Sequence, residues 1–252
     1  MRDARIIAVA HLKGGTGATT VAVNLAAELA ASRHSTLLID MDPVAASTFH
    51  LLAETPERTM FDVLENYVHI STAALPTAQD GLSIVPAGPA LSAWDRRPER
   101  LPVVLSRVLS DAAKLADVVL LDLPPSSRSI IRGTFAVLPG GRVLAPIQAR
   151  TLDLVGFQEL VKVVNEMREQ NAALHIAGIV PTRMRPAALC RDVVDALVAE
   201  NGRLVLQSIR EALPVARVPI THKPLRVAYP GSPANEDFQR LARDVVSRVL
   251  RG

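Results

Sequence analysis

The hydrophobic pattern of the chain alternates between short apolar runs and longer amphipathic stretches. The runs are rich in Val, Ile and Leu without polar alternation, as in strands covered on both faces, and they occupy residues 6–11, 36–40, 82–86, 118–122, 142–146 and 176–181. Helical spacing separates them, most clearly at residues 20–32, 102–115, 152–171 and 187–200. This order predicts an α/β fold with a doubly wound, mostly parallel sheet flanked by helices.

Bulk features of the sequence predict one domain over residues 1–252, because no repeat, low-complexity tract or composition break divides it. No apolar run approaches the roughly 18 residues that a membrane-spanning helix needs. The apolar start breaks at Lys13, which makes it a poor signal peptide. A single cysteine, Cys190, excludes an internal disulfide framework and fits a reducing cytoplasm.

A glycine-rich octet lies between the first predicted strand and the first predicted helix: Lys13-Gly14-Gly15-Thr16-Gly17-Ala18-Thr19-Thr20. Its glycines allow backbone N–H groups to turn inward around phosphate oxygens, and the helix amino terminus adds partial positive charge. Thr19 takes the Ser/Thr position that holds Mg²⁺. The strand-loop-helix context therefore predicts a nucleotide-phosphate loop.

Ala18 departs from this loop pattern, G-x-x-x-x-G-K-[ST], which requires lysine there. That lysine reaches the β- and γ-phosphates. Because a charge-assisted hydrogen bond contributes about 1.5–3 kcal/mol, its loss predicts nucleotide binding weakened roughly tenfold to hundredfold. The rate of ATP hydrolysis should fall by a larger factor than the affinity, since negative charge accumulates in the transition state.

Three motifs together resemble the ParA/MinD group of deviant Walker-A ATPases. The loop is similar to the group's K-G-G-x-G-K-T-T, with Lys13 at the position of its signature lysine. Residues 37–43, L-L-I-D-M-D-P, are similar to L-L-I-D-x-D-P-Q-G-N, although V-A-A at 44–46 replaces Q-G-N. Residues 118–126, V-V-L-L-D-L-P-P-S, resemble the Walker B strand and second switch. Weaker similarity continues along the chain, although Arg150 stands where glutamate is usual.

The resemblance implies an ATPase that binds ATP or ADP with Mg²⁺ and forms a sandwich homodimer in the ATP state. It assigns Lys13 to the partner's nucleotide and Asp42 to positioning the attacking water. Asp40 is placed near Mg²⁺, and Asp122 is expected to hold Mg²⁺ through a bound water, because a strand-end carboxylate is costly to bury away from a metal. It also places Thr182 and Arg183 near the adenine.

Positive charge is concentrated in the basic segment, which we define as residues 183–226. Eight Lys and Arg against four acids give it a charge of +4, whereas the whole chain is +3. Such an excess serves phosphate-backbone contact, although charge alone leaves an ordinary solvated surface open. The basic segment resembles the part of small, chromosomal-type ParA-like proteins that binds DNA without reading its sequence. The resemblance gives six candidate DNA-binding residues: Arg183, Arg185, Arg191, Arg210, Arg217 and Lys223. The same resemblance implies a ParB-like stimulating partner and a nucleoid-associated, cytoplasmic protein.

The last helical stretch carries an apolar stripe of Phe238, Leu241, Val245 and Val249 with arginines opposite. In a MinD-like protein such a stripe would lie on a membrane. Core packing is the more common use of this pattern, and the stretch lacks bulky aromatics at its end. We therefore expect no membrane association. A metabolic ligase of the same fold is a third alternative, but no added polar substrate pocket is evident in the sequence.

Two accounts explain Ala18. Loss of Lys13, Thr19, Asp42 or Asp122 would accompany natural decay of the site, and all four are present. Their retention favours an engineered lysine-to-alanine substitution in an active, slow ATPase, whereas the altered residues 44–46 and Arg150 favour drift. Both accounts predict poor ATP hydrolysis by this chain.

Overall fold

One seven-stranded sheet forms the centre of the protein. The computed structural model describes residues 5–250, apart from the side chains of residues 151 and 152. The strands are β1 (Arg5–Val9), β2 (Thr36–Asp40), β3 (Leu75–Pro76), β4 (Leu82–Val85), β5 (Val118–Asp122), β6 (Arg142–Gln148) and β7 (His175–Thr182). Their order is β3-β4-β2-β5-β1-β6-β7, and every pair is parallel except β3 with β4.

Helices connect the strands and cover the sheet. Within residues 5–250 the α-helices are α1 (Ala18–Ala31), α2 (Ala46–Leu51), α3 (Met60–Leu64), α4 (Ile70–Ala73), α5 (Leu101–Ala112), α6 (Arg128–Val137), α7 (Thr151–Met167), α8 (Ala188–Asn201), α9 (Leu213–Arg217), α10 (Leu225–Ala228) and α11 (Pro233–Asp244). A 3₁₀ turn, Val218–Thr221, joins α9 to the α10 region, and a π-helical turn, Val245–Leu250, follows α11.

The six predicted strands are present, with ends within two residues of those expected from the apolar runs. The hydrophobic pattern did not predict β3, an antiparallel edge strand of two residues that ends in proline. So short an element carries no periodicity, and its pairing with β4 is a tertiary contact. The four predicted helices are also present, with shifted ends.

The sheet is covered by helices on both faces, as the doubly wound prediction requires. Alternate residues of β1 belong to different cores: Ile6 packs with α5, α6 and α7, whereas Ile7 packs with α1 and α11. Because both faces are buried, the central strands need apolar residues at every position. The predicted α/β fold is confirmed.

The apolar stripe of the terminal helix faces the core. Phe238, Leu241 and Val245 are 0% exposed and Val249 is 3% exposed, and all four belong to the cluster that contains α1. The core-packing interpretation is therefore confirmed, and the stripe is not available to a lipid surface. Among the described residues no helix is long and apolar enough to cross a membrane.

The position of β1 places the site. It lies between β5 and β6. The chain continues from β1 to β2, β3, β4 and β5 on one side of it, and β6 and β7 are then added on the other side. Ligands of open parallel sheets bind in the crevice at the carboxyl ends of strands at such a point. Register brings Asp40 of β2 opposite Asp122 of β5, and Asp122 opposite Val9 of β1. The predicted loop and carboxylates thus meet at one edge.

Candidate functional site

The glycine-rich loop turns directly from β1 into α1. Gly15 and Gly17 both have φ +86°, a left-handed conformation that side chains rarely adopt. A Cβ on Gly17 would meet Thr182 only at an ordinary 3.8 Å. Backbone conformation, and not lack of space, is therefore what requires glycine there. The turn leaves the first N–H groups of α1 at the crevice, as anion binding requires.

The loop is fixed to the end of β7. The Thr182 hydroxyl donates to the Thr16 carbonyl at 2.6 Å. The Thr16 hydroxyl itself is buried and has no hydrogen-bond partner in the described part of the chain. A buried hydroxyl without a partner is costly, and a phosphate oxygen in the crevice would satisfy it.

Ala18 is the first residue of α1 and is 2% exposed. It belongs to the same buried apolar cluster as Val9 and Val21. The methyl group therefore packs at the base of the loop and brings no charge to the crevice.

The two carboxylate oxygens of Asp122 have different surroundings. Its Oδ2 accepts from the Ser47 hydroxyl at 2.7 Å, while its buried Oδ1 has no partner of normal hydrogen-bond geometry within residues 5–250. Burial, then the charges of Asp40 and Asp42, raise the pKa of Asp122 to about 7, although the Ser47 and Thr19 hydroxyls act in the lowering direction. A cation beside Oδ1 would favour the ionised form.

Asp40 is tied into the following loop. Its Oδ2 accepts from the hydroxyl and the backbone N–H of Thr48 at 2.7 and 2.9 Å, and its Oδ1 accepts from the Asp42 N–H at 3.0 Å. Burial raises the pKa of Asp40 to about 6 against these bonds. The carboxylate organises the turn after β2, and its predicted role near Mg²⁺ stays a prediction.

Asp42 stands near His11 at the mouth of the crevice. Its Oδ1 accepts from the Val44 N–H at 2.9 Å, which closes the turn. His11 hydrogen-bonds the Lys13 carbonyl through Nδ1. Burial lowers the pKa of His11, while that bond and the charge of Asp42 act in the opposite direction. The water-positioning role of Asp42 stays a prediction.

Lys13 forms an ion pair within its own chain. Its Nζ lies 2.6 Å from Oδ1 of Asp153, a buried carboxylate in the first turn of α7. The Lys13 side chain is 46% exposed, so it is free to change partner without unpacking the core. Contact with a second protomer's nucleotide stays a prediction.

A cleft of about 160 Å³ opens beside the loop. Gly17, Thr20, Thr182 and Arg183 line it, together with Val21, residues 209–212, Val215, Ala216 and Phe238. Arg183 has φ +51°, a strained backbone conformation for a side-chain-bearing residue. The structure thus brings together two of the predicted phosphate-loop residues and the two predicted adenine contacts.

The residues predicted to hold a metal also converge. Mg²⁺ takes one or two carboxylates and completes its shell with phosphate oxygens and water. Thr19 and the free oxygen of Asp122 fit that requirement when a nucleotide is present. No group of three His, Cys, Asp or Glu suited to a metal occurs in the described residues.

The six candidate DNA-binding side chains divide into two groups. Arg185 pairs with Glu211, and Arg210 pairs with the buried Asp237 at 2.7 Å. Within the described ranges the other four form no ion pair, and all four are exposed: Arg183, Arg191, Arg217 and Lys223. DNA contact by any of the six stays a prediction.

Ala45 gives a prediction about this loop. It precedes α2 with φ +59°, at the glycine position of the Q-G-N motif. Since the left-handed conformation costs alanine roughly 1–2 kcal/mol, Ala45→Gly should raise the free energy of unfolding by about 0.5–1 kcal/mol, after about 0.4–1 kcal/mol is subtracted for the freer unfolded chain. Urea titration measures this change. Ala46→Gly, inside α2, is the control and should lower stability by up to about 1 kcal/mol.

Sequence reasoning missed three residues of the site: Ser47, Thr48 and Asp153. Three residues separate the first two from the end of the D-x-D-P motif, so the hydroxyls just beyond that motif were the available signal. Asp153 lies among apolar residues at the start of α7, where an isolated acid indicates a specific partner. Their partners lie 75, 8 and 140 positions away along the chain, respectively.

Comparison with known proteins agrees with this geometry. Residues 4–176 match a family model described as an AAA domain. The chain is 33% identical to the chromosome-partitioning ATPase Soj of Thermus thermophilus, with 97% of this chain and 96% of Soj covered. It is 31% identical to the chromosome partitioning protein ParA of Caulobacter vibrioides, with 97% and 94% covered. A Cyanothece McdA variant solved with ATP has the same fold, with a TM-score of 0.83 at 22% identity, covering 98% of each chain.

Proposed function

Since the chain belongs to the ParA/MinD family of P-loop ATPases, we propose that it is a partition or cargo-positioning ATPase that binds Mg-ATP, forms a sandwich dimer and then holds DNA non-specifically. One observation carries the proposal: the phosphate loop borders the 160 Å³ cleft through Gly17 and Thr20, and Thr19 of the same loop lies next to Asp122. In this proposal the nucleoside occupies the cleft, and its phosphates lie at the amino terminus of α1, where helix N–H groups favour anions.

Hydrolysis is the impaired step in this proposal. Ala18 leaves the loop without the cation that neutralises the γ-phosphate. Lys13, Asp42, Thr19 and Asp122 supply the remaining groups that the family chemistry uses. The chain then binds nucleotide weakly and turns it over slowly, and a ParB-like protein is the class of partner that would stimulate it.

DNA binding is assigned to four exposed cations of the basic segment: Arg183, Arg191, Arg217 and Lys223. Each phosphate contact lowers the slope of log affinity against log salt concentration by about 0.9. Since a dimer carries two copies, removing one contact residue should flatten the slope by about 2. Contacts of this kind position a protein on the duplex without reading bases.

The proposal is tested by binding to random-sequence duplex DNA, with and without Mg-ATP, by this chain and its Ala18→Lys form. We expect ATP-dependent binding by the lysine form that weakens steeply with salt. Lys223→Glu and Arg217→Glu should each weaken binding about tenfold at low salt. Arg107→Glu on α5, packed on the opposite face of the sheet, makes the same charge change and should have little effect. Absence of ATP-dependent binding by the lysine form at any salt would contradict the proposal.

A further inference from the structure

Helix α2 contacts two parts of the protein through four consecutive residues. Ser47 and Thr48 bind the two buried carboxylates: the Ser47 hydroxyl donates to Asp122 at 2.7 Å, and the Thr48 hydroxyl donates to Asp40 at 2.7 Å. Ser47 is 0% exposed and Thr48 is 6% exposed, so water does not compete for these bonds. The positions of the carboxylates and of α2 are therefore interdependent.

The next two residues of α2 bind the basic segment. His222 Nδ1 lies 2.7 Å from the Phe49 carbonyl, and the two rings meet edge to face with centroids 5.1 Å apart. The ring of His50, 2% exposed, lies close to the backbone of Lys223. Phe49 and His50 thus hold the two residues that follow the 3₁₀ turn Val218–Thr221.

The helix is short and is fixed at several points. It has only six residues, Ala46–Leu51, so it moves as one unit. The Thr48 hydroxyl also accepts from the Ala87 N–H at 2.9 Å, which ties it to the chain after β4. A shift of either carboxylate would therefore move Phe49 and His50 together with their partners.

A second anchor lies just beyond. Asn24 of α1 accepts from the Leu225 N–H at 2.8 Å, and Glu28 of α1 pairs with Arg226 at 2.7 Å. Directly after the 3₁₀ turn, the chain is therefore anchored first on α2, at residues 222 and 223, and then on α1, at residues 225 and 226. Because α1 begins at the phosphate loop, both anchors start from the site.

We propose that Ser47 and Thr48 are positioning residues for Asp122 and Asp40, and that α2 transmits the placement of these carboxylates to residues 218–223 of the basic segment. Nucleotide and metal at the carboxylates would then change the position of the Lys223 side chain on the surface. The link itself is a property of the chain alone; only the identity of its ligand rests on the proposed function.

Amide hydrogen exchange of the nucleotide-free chain tests the link. Thr48→Val keeps the side-chain shape and removes the hydroxyl, whereas Thr48→Ser keeps the hydroxyl. We expect Thr48→Val, which removes the hydroxyl's bonds to Asp40 and to the Ala87 N–H, to speed exchange of the His222 amide about tenfold or more. Thr48→Ser should leave that rate within about twofold. The Leu225 amide, which is bonded to α1, and the β5 amides should not change in either variant.

Two outcomes of this experiment would overturn the proposal. A uniform rise at His222, Leu225 and β5 would mean that Thr48 supports only global stability. An unchanged His222 rate in Thr48→Val would mean that α2 transmits nothing. Neither outcome depends on nucleotide binding, so each is distinct from failure of the proposed function.

A second arm adds Mg-ATP to the Ala18→Lys chain. We expect nucleotide to change the His222 exchange rate about threefold or more, and Phe49→Ala in the same background, which removes the ring contact with His222, to reduce that change while equilibrium nucleotide binding persists. Nucleotide binding without any change at His222 would overturn the proposed transmission. Absence of nucleotide binding would contradict the proposed function, and the Thr48 comparison would still decide the link.

Discussion

Replacing Ala18 by lysine is expected to tighten Mg-ATP binding by roughly tenfold to hundredfold and to raise ATP turnover by a larger factor, on the order of 10²–10³. The ammonium would supply the charge-assisted bond to the β- and γ-phosphates that the loop lacks. The gain in turnover exceeds the gain in binding because that charge counts most in the transition state.

The matched control is Ala18→Met, which adds a long side chain without charge. Because Ala18 is 2% exposed within an apolar cluster, both variants must place their stems past the same neighbours. Binding of a fluorescent ATP analogue measures affinity, and phosphate release measures turnover. Equal behaviour of the lysine and methionine variants would show that charge at position 18 is not what limits the site.

The same experiment separates the two accounts of Ala18. Recovery of both binding and slow turnover would mean that Lys13, Asp42, Thr19 and Asp122 still form a working set. Recovery of nucleotide binding without turnover would mean that the chain has lost a second group needed for hydrolysis. Residues 44–46 and Arg150, which differ from the family pattern, would then be the positions to change back.

Replacing Asp122 by asparagine is expected to stabilise the nucleotide-free protein at high pH. Burial and the nearby Asp40 raise the pKa of Asp122 from 3.8 to about 7. A carboxyl with a raised folded-state pKa binds more protons in the folded state, so stability falls as pH rises from the unfolded pKa through the folded one. Asparagine retains an acceptor for Ser47 and carries no charge.

The stabilisation by Asp122→Asn should be on the order of 2–3 kcal/mol greater at pH 8 than at pH 5. Urea unfolding at the two pH values measures it, with the exposed Asp80→Asn as a control that should show no such difference. Mg-nucleotide should oppose the gain, since a bound cation favours ionised Asp122. An asparagine variant with the same advantage at both pH values would contradict the buried, raised-pKa carboxyl.

Local chemistry explains why the phosphate loop and Asp122 were predictable. Both stand at strand ends, where an apolar run stops and a glycine or an acid begins. Parallel strands bring their carboxyl ends to one edge, so the order of elements was enough to predict convergence. The conformations of Gly15 and Gly17 follow from residue type in the same way.

Contacts between residues that are distant in sequence could not be predicted in this way. His222 reaches Phe49 across 173 positions, and Ser47 reaches Asp122 across 75. The partner of Lys13 in the isolated chain, Asp153, likewise depends on how α7 packs beside the loop. No periodicity or spacing encodes such pairs, because they form only when separate elements dock.

Residue types and their near neighbours were enough to predict the α/β order, the phosphate loop, the strand-end carboxylates and the effect of the missing lysine. The role of the terminal stripe followed only from the packing of the folded chain, since a helix packed on a core and one lying on a membrane share the same 3.6-residue spacing. That packing also decided which arginines are already paired and which oxygen of Asp122 is free. Those properties depend on atoms that the fold brings together from distant positions.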